Sequence, residues 1–131
     1  MDVSQSLKRL QGFRDYWLNI PPGHVDLATV GGENLHLEGL DNLRNCYSVG
    51  CLAGWLTTMP EFRQWHWATY RGKYPYSHDT IPNCYRYLFP GTMELSGLFA
   101  GRQPRDTRTD WEIGLSRLDT RITLIRKDMI P

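Results

Sequence analysis

Near each end of the chain, apolar residues recur at alternating spacings of three and four, which is typical of one face of an amphipathic helix. In the first stretch Asp2 or Ser4 is the expected N-cap, and Pro21-Pro22-Gly23 ends the pattern. Its apolar positions are Leu7, Leu10, Phe13, Trp17 and Ile20. We predict a helix of about four turns here.

The last stretch predicts a second long helix. Thr109 and Glu112 have the spacing of a capping box, and Lys127 suits the negative C-terminus of a helix. Its apolar positions are Trp111, Leu115, Leu118, Ile122 and Ile125. We expect this helix to bury that face in the core.

Residues 45–55, NCYSVGCLAGW, interleave cysteines, small residues and large apolar residues. Asn45 is a good N-cap and Pro60 a good terminator, so we predict a helix from Cys46 to about Thr58. Its polar face is almost absent, which favours an interior position wrapped by the first and last helices. The small residues of this helix are Gly50, Ala53 and Gly54. We expect another helix to approach its backbone closely there.

Shorter elements are predicted between these helices. Residues 25–37 alternate apolar and polar positions around Gly31-Gly32, which favours a small β-hairpin, and a helical turn over residues 38–45 is the alternative. Two more short helices are expected over residues 83–91 and 92–101. Their inward residues would be Cys84, Tyr87 and Leu88 in the first, and Leu95, Leu98 and Phe99 in the second, which Thr92 would cap and Gly101 would end.

The chain has 131 residues, the length of one domain, and we assign residues 1–131 to a single domain. A content of 40% hydrophobic and 22% charged residues favours a folded globular chain over a disordered one. We therefore predict a mainly α, compact bundle of five or six helices. One small β-hairpin near residues 25–37 is an optional addition.

Composition also bears on compartment and partners. No apolar run approaches the roughly 20 residues that span a bilayer, and the first ten residues lack the apolar core of a secretory signal. Three cysteines, an odd number, suit free thiols in a reducing cytoplasm. We expect a cytoplasmic protein. The sequence leaves its oligomeric state open.

A nucleic-acid-binding accessory protein is a further functional alternative, although nucleic acid is not the expected partner. The net charge is only +1, although arginines cluster in the last third of the chain. These are Arg102, Arg105, Arg108, Arg117, Arg121 and Arg126. Nearby acids offset most of them, namely Asp106, Asp110, Glu112, Asp119 and Asp128. Mixed signs at this density are typical of a solvated helix face.

Residues 60–82 form an aromatic excursion in which rings alternate with basic residues. Aromatic rings and arginines together suit a protein-binding surface. The predicted contact residues are Trp65, Trp67, Tyr70, Arg71, Lys73, Tyr74 and Tyr76. The alternative is that the rings pin a long excursion to the core and are buried by it.

A cysteine-dependent enzyme is the second functional hypothesis. Cys46 would lie in the first turn of the central helix, where the helix dipole lowers a thiol pKa. Its base would be one of the four histidines, His24, His36, His66 and His78. The alternative is that the cysteines are small buried residues. Cys46 and Cys51 are five residues apart, so they would not point together, and we expect no metal and no cofactor.

The segment NCYSVGCLAGW resembles the core motif of small, mostly uncharacterised proteins of bacteriophages and bacteria. Their usual form is Cys-Gly-Thr, two residues, Cys, two residues, then Gly. This chain has Tyr47-Ser48 where Gly-Thr is usual, and further matches are Leu98-Phe99 and Arg117-Leu118-Asp119. The similarity spans residues 45–124 in patches. The resemblance implies a phage-type, anti-defence protein that binds and occludes a host or defence-system protein.

Overall fold

The computed structural model of the protein describes residues 3–29, 35–44, 48–71, 79–91 and 97–129, with side chains through residue 127. Five α-helices lie within these ranges and no strand does, so the predicted mainly α bundle of five or six helices is confirmed. They are α1 (Val3–Trp17), α2 (Leu52–Leu56), α3 (Pro60–Tyr70), α4 (Thr80–Leu88) and α5 (Asp110–Met129). The described residues also include 3₁₀ turns at Pro22–His24, Gly39–Arg44 and Gly97–Phe99.

Helices α1 and α5 pack along each other and form the main helix pair. Most of their predicted apolar positions are buried, namely Leu10, Phe13, Trp17, Leu118, Ile122 and Ile125. The predicted capping box begins α5, since Glu112 N donates to Thr109 Oγ1 and Thr109 N donates to Glu112 Oε1. On the flank of the pair, Arg14 of α1 forms an ion pair with Asp119 of α5. The two predictions of long terminal helices are therefore confirmed.

Two tryptophans join the ends of this helix pair by reciprocal hydrogen bonds. The Nε1 of Trp17 donates to the carbonyl of Trp111 at 3.1 Å, and the Nε1 of Trp111 donates to the carbonyl of Trp17 at 3.2 Å. The Trp17 ring is fully buried and lies across Gly114 of α5. Both indole N–H groups are therefore satisfied at a place where α1 and α5 approach closely.

The predicted central helix from Cys46 to about Thr58 is wrong at its N-terminal end. Cys51 has an extended backbone (φ −81°, ψ −174°) and precedes α2, while Gly50 pairs with Val25 in an isolated parallel bridge. Gly50 exchanges backbone hydrogen bonds with His24 and Asp26, and Cys51 N donates to the Thr29 carbonyl at 2.7 Å. These contacts hold the segment extended, so periodicity alone misplaced the start of the helix. Asn45 and Cys46 lie outside the described residues.

The interior position of α2 is confirmed, because all five of its residues are buried. Its main helix contact is with α4, and its buried residues belong to the same core cluster as those of α1 and α5, so wrapping by the first and last helices stays a prediction. The Ala53 carbonyl oxygen lies 3.7 Å from Cys84 Sγ of α4. This is a side-chain contact, so the close approach of another helix backbone to α2 stays a prediction.

The turn of the optional β-hairpin, Gly31-Gly32, lies outside the described residues. The described residues on either side of it form no strand, so they do not support a hairpin. Val25 pairs with Gly50 instead, and Gly39–Arg44 forms a 3₁₀ helix. The alternative of a helical turn is thus the correct one over that stretch.

Among the described helices, none combines the length and the apolar character that a membrane span requires.

The predicted short helix after Pro82 corresponds to α4, with Cys84, Tyr87 and Leu88 buried as expected. The predicted helix over residues 92–101 is described only from Gly97, where a 3₁₀ turn buries Leu98. Thr92 and Leu95 lie outside the described residues. The Arg117 guanidinium of α5 donates to the carbonyls of Leu98 at 3.4 Å and Gly101 at 2.8 Å. Two of the sequence patches that carry the resemblance, Leu98-Phe99 and Arg117-Leu118-Asp119, therefore meet in space.

Candidate protein-binding site

Helix α3 presents different aromatic residues to the core and to solvent. Pro60 stands at its first position, where a missing N–H costs no helical hydrogen bond. Phe62 and His66, one turn apart, are buried and form its inner face. The Phe62 ring contacts the ring of Tyr87 in α4 at a centroid distance of 5.4 Å. These contacts fix α3 on the body of the protein.

Trp65 is half-buried and serves largely to anchor α3. Its ring lies edge-on to the rings of Tyr87 at 5.5 Å and Tyr70 at 5.7 Å, and it also contacts Phe62 at 5.8 Å. For this residue the interpretation that aromatic rings pin the segment to the core fits the structure better than an open contact surface.

Trp67 lies in solvent, with 68% of its surface exposed. It follows Trp65 by two residues, which on an α-helix turns the side chain by about 200°. Trp65 and Trp67 therefore lie on opposite sides of α3 and cannot contribute to one flat surface. The aromatic excursion divides into an anchoring side and an exposed side.

Tyr70 and Arg71 lie at the C-terminal end of α3. Tyr70 is half-buried, stacks on His66 at 4.9 Å, and accepts a hydrogen bond from Arg86 at 3.4 Å. Arg71 is exposed and ends the helix in the left-handed conformation (φ 51°), a region that favours glycine. Lys73, Tyr74 and Tyr76 lie outside the described residues, so their part in the predicted site stays a prediction.

The second feature beside α3 is a groove of about 1140 Å³ between α1 and α3. We call it the α1–α3 groove. Its apolar lining comes from Tyr16, Met59, Trp65 and Tyr87. Arg9 forms one wall, because it donates to the Tyr87 carbonyl at 2.7 Å and lies 4.3 Å from the centre of the Tyr87 ring. Sequence patterns did not predict this groove. It forms only where α1 and α3, which are distant in the chain, come together in the fold.

Tyr16 occupies the other end of the α1–α3 groove. Its hydroxyl is hydrogen-bonded to the Thr58 hydroxyl at 2.5 Å. Burial raises the pKa of Tyr16 to about 12, and the carboxylates of Glu61 and Glu38 add to this rise. The groove therefore has the Arg9 cation at one end and the neutral phenol of Tyr16 at the other.

The cysteines of the described residues are poor nucleophiles. Cys51 and Cys84 are buried free thiols, and burial raises the pKa of both. Cys46 lies outside the described residues, so the enzyme hypothesis stays a prediction. His24 contacts the segment that follows Cys46, since its Nδ1 lies 2.7 Å from the Ser48 carbonyl oxygen. Because a carbonyl only accepts, this bond places the His24 proton on Nδ1.

The other histidines are spread over the fold. His66 is on the inner face of α3, His36 is exposed beside Arg63, and His78 lies outside the described residues. Among the residues that the structure describes, no three His, Cys, Asp or Glu side chains come together as metal ligands would.

The buried His66 predicts a pH dependence of stability. Burial lowers the pKa of His66, so the folded chain binds this proton more weakly than the unfolded chain does. Stability should therefore be full above the unfolded pKa of about 6.5 and decline as the pH falls below it. Urea denaturation at pH 7.5 and 5.5 measures the loss. His66→Gln should remove part of it, and His36→Gln, at an exposed site, should not. Equal losses in all three proteins would contradict this role of His66.

Comparison with protein-family models, curated proteins and solved structures found no match to this chain. The resemblance to small phage and bacterial proteins therefore stays an expectation. What the structure contributes is an exposed tryptophan on one side of α3 and a groove on the other.

Proposed function

We propose that this chain is a binding protein that docks onto another protein through the exposed side of α3. We call this the Trp67 surface, formed by Trp67, Tyr70 and Arg71. The observation that carries the proposal is the 68% exposure of the Trp67 side chain. Leaving so large an apolar ring in water forgoes about 2 kcal/mol or more that its burial would contribute.

The chemistry of the Trp67 surface supports protein recognition. Tryptophan, tyrosine and arginine are the residues most enriched among those that dominate binding energies. Arg71 is exposed and adds a cation next to the rings. Tyr70 is half-buried, so it offers its outer edge rather than its whole ring.

The Trp67 surface is also preorganised. Arg63, one turn before Trp67, donates to the carbonyls of Thr57 at 2.8 Å and His36 at 3.0 Å. On the inner face Phe62 and His66 are buried. A partner would therefore meet a helix already fixed in place, which lowers the entropy cost of binding.

The resemblance of residues 45–55 indicates the class of partner. It favours a host or defence-system protein of a phage-infected bacterium, and occupation of that protein's surface would inhibit it. A cytoplasmic location follows from the same proposal. The Trp67 surface supports protein binding as such, and the resemblance alone supports the phage setting.

The test is capture of a partner by tagged protein from bacterial lysate, beside the variant Trp67→Ala. Because Trp67 is exposed, the variant should fold normally, as checked by circular dichroism. We expect it to lose the captured protein, with affinity reduced at least tenfold, or about 1.4 kcal/mol. Leu124→Ala is the matched control, since Leu124 is an apolar side chain 45% exposed on α5.

The outcomes separate specific from general effects. Loss of the partner with Trp67→Ala and its retention with Leu124→Ala would support the Trp67 surface. Retention with both variants would overturn that assignment. Equal loss with both would show nonspecific hydrophobic capture and would overturn it too.

A further inference from the structure

One side of α1 carries a continuous stripe of exposed residues, which also line the α1–α3 groove. They recur at spacings of three and four, and are Gln5, Lys8, Gly12, Asp15 and Asn19. This spacing places them on one side of the helix. Their chemical order is polar, basic, glycine, acidic, polar. The stripe therefore has opposite charges on the two sides of a central glycine.

Lys8 and Asp15 hold almost mirrored positions around Gly12. Lys8 precedes it by four residues and Asp15 follows it by three. They are about two helical turns apart, roughly 10 Å along the axis, and lie on the same flank of the stripe. Within the described ranges neither forms an ion pair with another side chain.

Gly12 makes the middle of this stripe open. A Cβ built at this position would meet nothing within 4 Å, so no neighbouring group of the same chain requires a glycine there. A glycine inside a helix costs about 1 kcal/mol relative to alanine. Its absent side chain would instead let the backbone of another helix approach closely.

We propose that the chain forms a two-fold symmetric dimer in which two copies of α1 pack antiparallel across Gly12. In a two-fold interface the same patch is used twice, so the patch must complement itself. An antiparallel copy places Lys8 opposite Asp15 of the partner subunit, and Asp15 opposite Lys8 of the partner subunit. The stripe meets this requirement because its charge changes sign at its centre.

The surroundings of the stripe fit a helix of the same kind. The stripe itself lines the α1–α3 groove, together with the half-buried Arg9 and Tyr16, which again lie on opposite sides of Gly12. An antiparallel copy would lie along this wall of the groove, while Arg9 keeps its hydrogen bond to the Tyr87 carbonyl and its contact with the Tyr87 ring.

The dimer would leave the Trp67 surface free. Trp65 faces the α1–α3 groove, and Trp67 points to the opposite side of α3. Two copies would therefore present two Trp67 surfaces, and a partner with two sites would be bound with avidity. The dimer itself does not depend on the proposed function, since the purified chain alone would form it.

Analytical ultracentrifugation of the untagged full chain tests the dimer. We expect the average mass to rise from 15.3 kDa towards twice that value as concentration increases. The series should reach about 200 µM, because dimer population follows mass action. A mass that stays at that of one chain throughout would overturn the proposal.

Charge exchange tests the antiparallel register. Lys8→Glu and Asp15→Lys should each weaken association at least tenfold, because each creates two like-charge contacts per dimer. The double variant Lys8→Glu/Asp15→Lys exchanges the charges and should restore association to near the wild-type value. Two weakened single variants without rescue in the double would overturn this register.

Gly12→Gln tests the close approach. Its side chain enters open space within one chain, so folding should be retained, and it should block the contact between two helices. A dimer that survives both Gly12→Gln and Lys8→Glu would use another surface and would overturn the proposal. Circular dichroism confirms the fold of each variant.

Discussion

Replacement of Gly114 by alanine is expected to destabilise the protein by about 1–3 kcal/mol, although alanine is the better helix former by about 1 kcal/mol. A Cβ at position 114 would lie 2.6 Å from Cζ2 and 3.0 Å from Cε2 of Trp17. The indole cannot move aside easily, because it is fully buried and donates to the Trp111 carbonyl. Chemical denaturation measures the change in the free energy of unfolding.

Gly12→Ala is the matched control for this substitution. Gly12 also lies inside a long helix, and a Cβ there would meet nothing within 4 Å. We therefore expect a stabilisation of up to about 1 kcal/mol, the ordinary gain in helix propensity. The comparison should be made at a dilution where the chain is monomeric, since Gly12 lies in the proposed dimer interface. Changes of the same sign in both variants would contradict the close contact at Gly114.

A double-mutant cycle identifies the ring responsible. Trp17→Phe removes the indole atoms that a Cβ at position 114 would meet, at its own cost in packing and in the hydrogen bond to Trp111. The double variant Gly114→Ala/Trp17→Phe should be more stable than the sum of the single effects predicts, by about 1 kcal/mol. If the effects of the two substitutions on the free energy of unfolding are additive, the cost of Gly114→Ala does not come from a clash with the Trp17 indole.

Helices α1 and α5 could be predicted from sequence because each buries one stripe and exposes the rest. Their apolar spacing, the Pro21-Pro22-Gly23 stop and the Thr109–Glu112 capping box are all local features. Local features were not enough for α2. The extended backbone at Gly50 and Cys51 depends on hydrogen bonds to residues 24–29, and the periodicity of a sequence does not contain such contacts.

The candidate binding site was predicted as one surface, and the structure divides it. A spacing of two residues separates Trp65 from Trp67 by about 200° once the segment is helical. The sequence favoured a helix over part of residues 60–82, but the spacing of its aromatic residues did not follow the period of a helix. The partner of Trp65, Tyr87, comes from α4, and only the packing of α4 on α3 decides which of the two tryptophans is anchored.

Asn42→Asp is expected to destabilise the protein by about 2–4 kcal/mol at neutral pH, although the two side chains have nearly the same shape. Asn42 is fully buried in the Gly39–Arg44 turn. Its Nδ2 donates to the carbonyls of Leu37 at 2.7 Å and Gly39 at 2.8 Å. A carboxylate has no proton to donate, so two carbonyl oxygens would face a buried negative charge.

This loss should depend on pH in a defined direction. The carboxyl group at position 42 would have a pKa raised above its unfolded value of about 3.9, because burial and the two carbonyls disfavour its charged form. The variant is therefore most stable, relative to the wild type, at low pH and loses stability as the pH rises through that raised pKa. Denaturation midpoints of both proteins between pH 4 and 7 measure the difference, and a constant difference would contradict the assignment.

Asn83→Asp provides the matched control, since Asn83 is also buried and also a member of a helical segment. Its Oδ1 accepts a hydrogen bond from the Arg86 guanidinium at 2.9 Å, so a carboxylate there would gain a charge-assisted partner. We expect a change within about 1 kcal/mol at this position. The same chemical substitution would thus have different effects because one amide donates to carbonyls and the other accepts from a cation. Equal losses at both positions would mean that burial alone, rather than the direction of the hydrogen bonds, determines the cost.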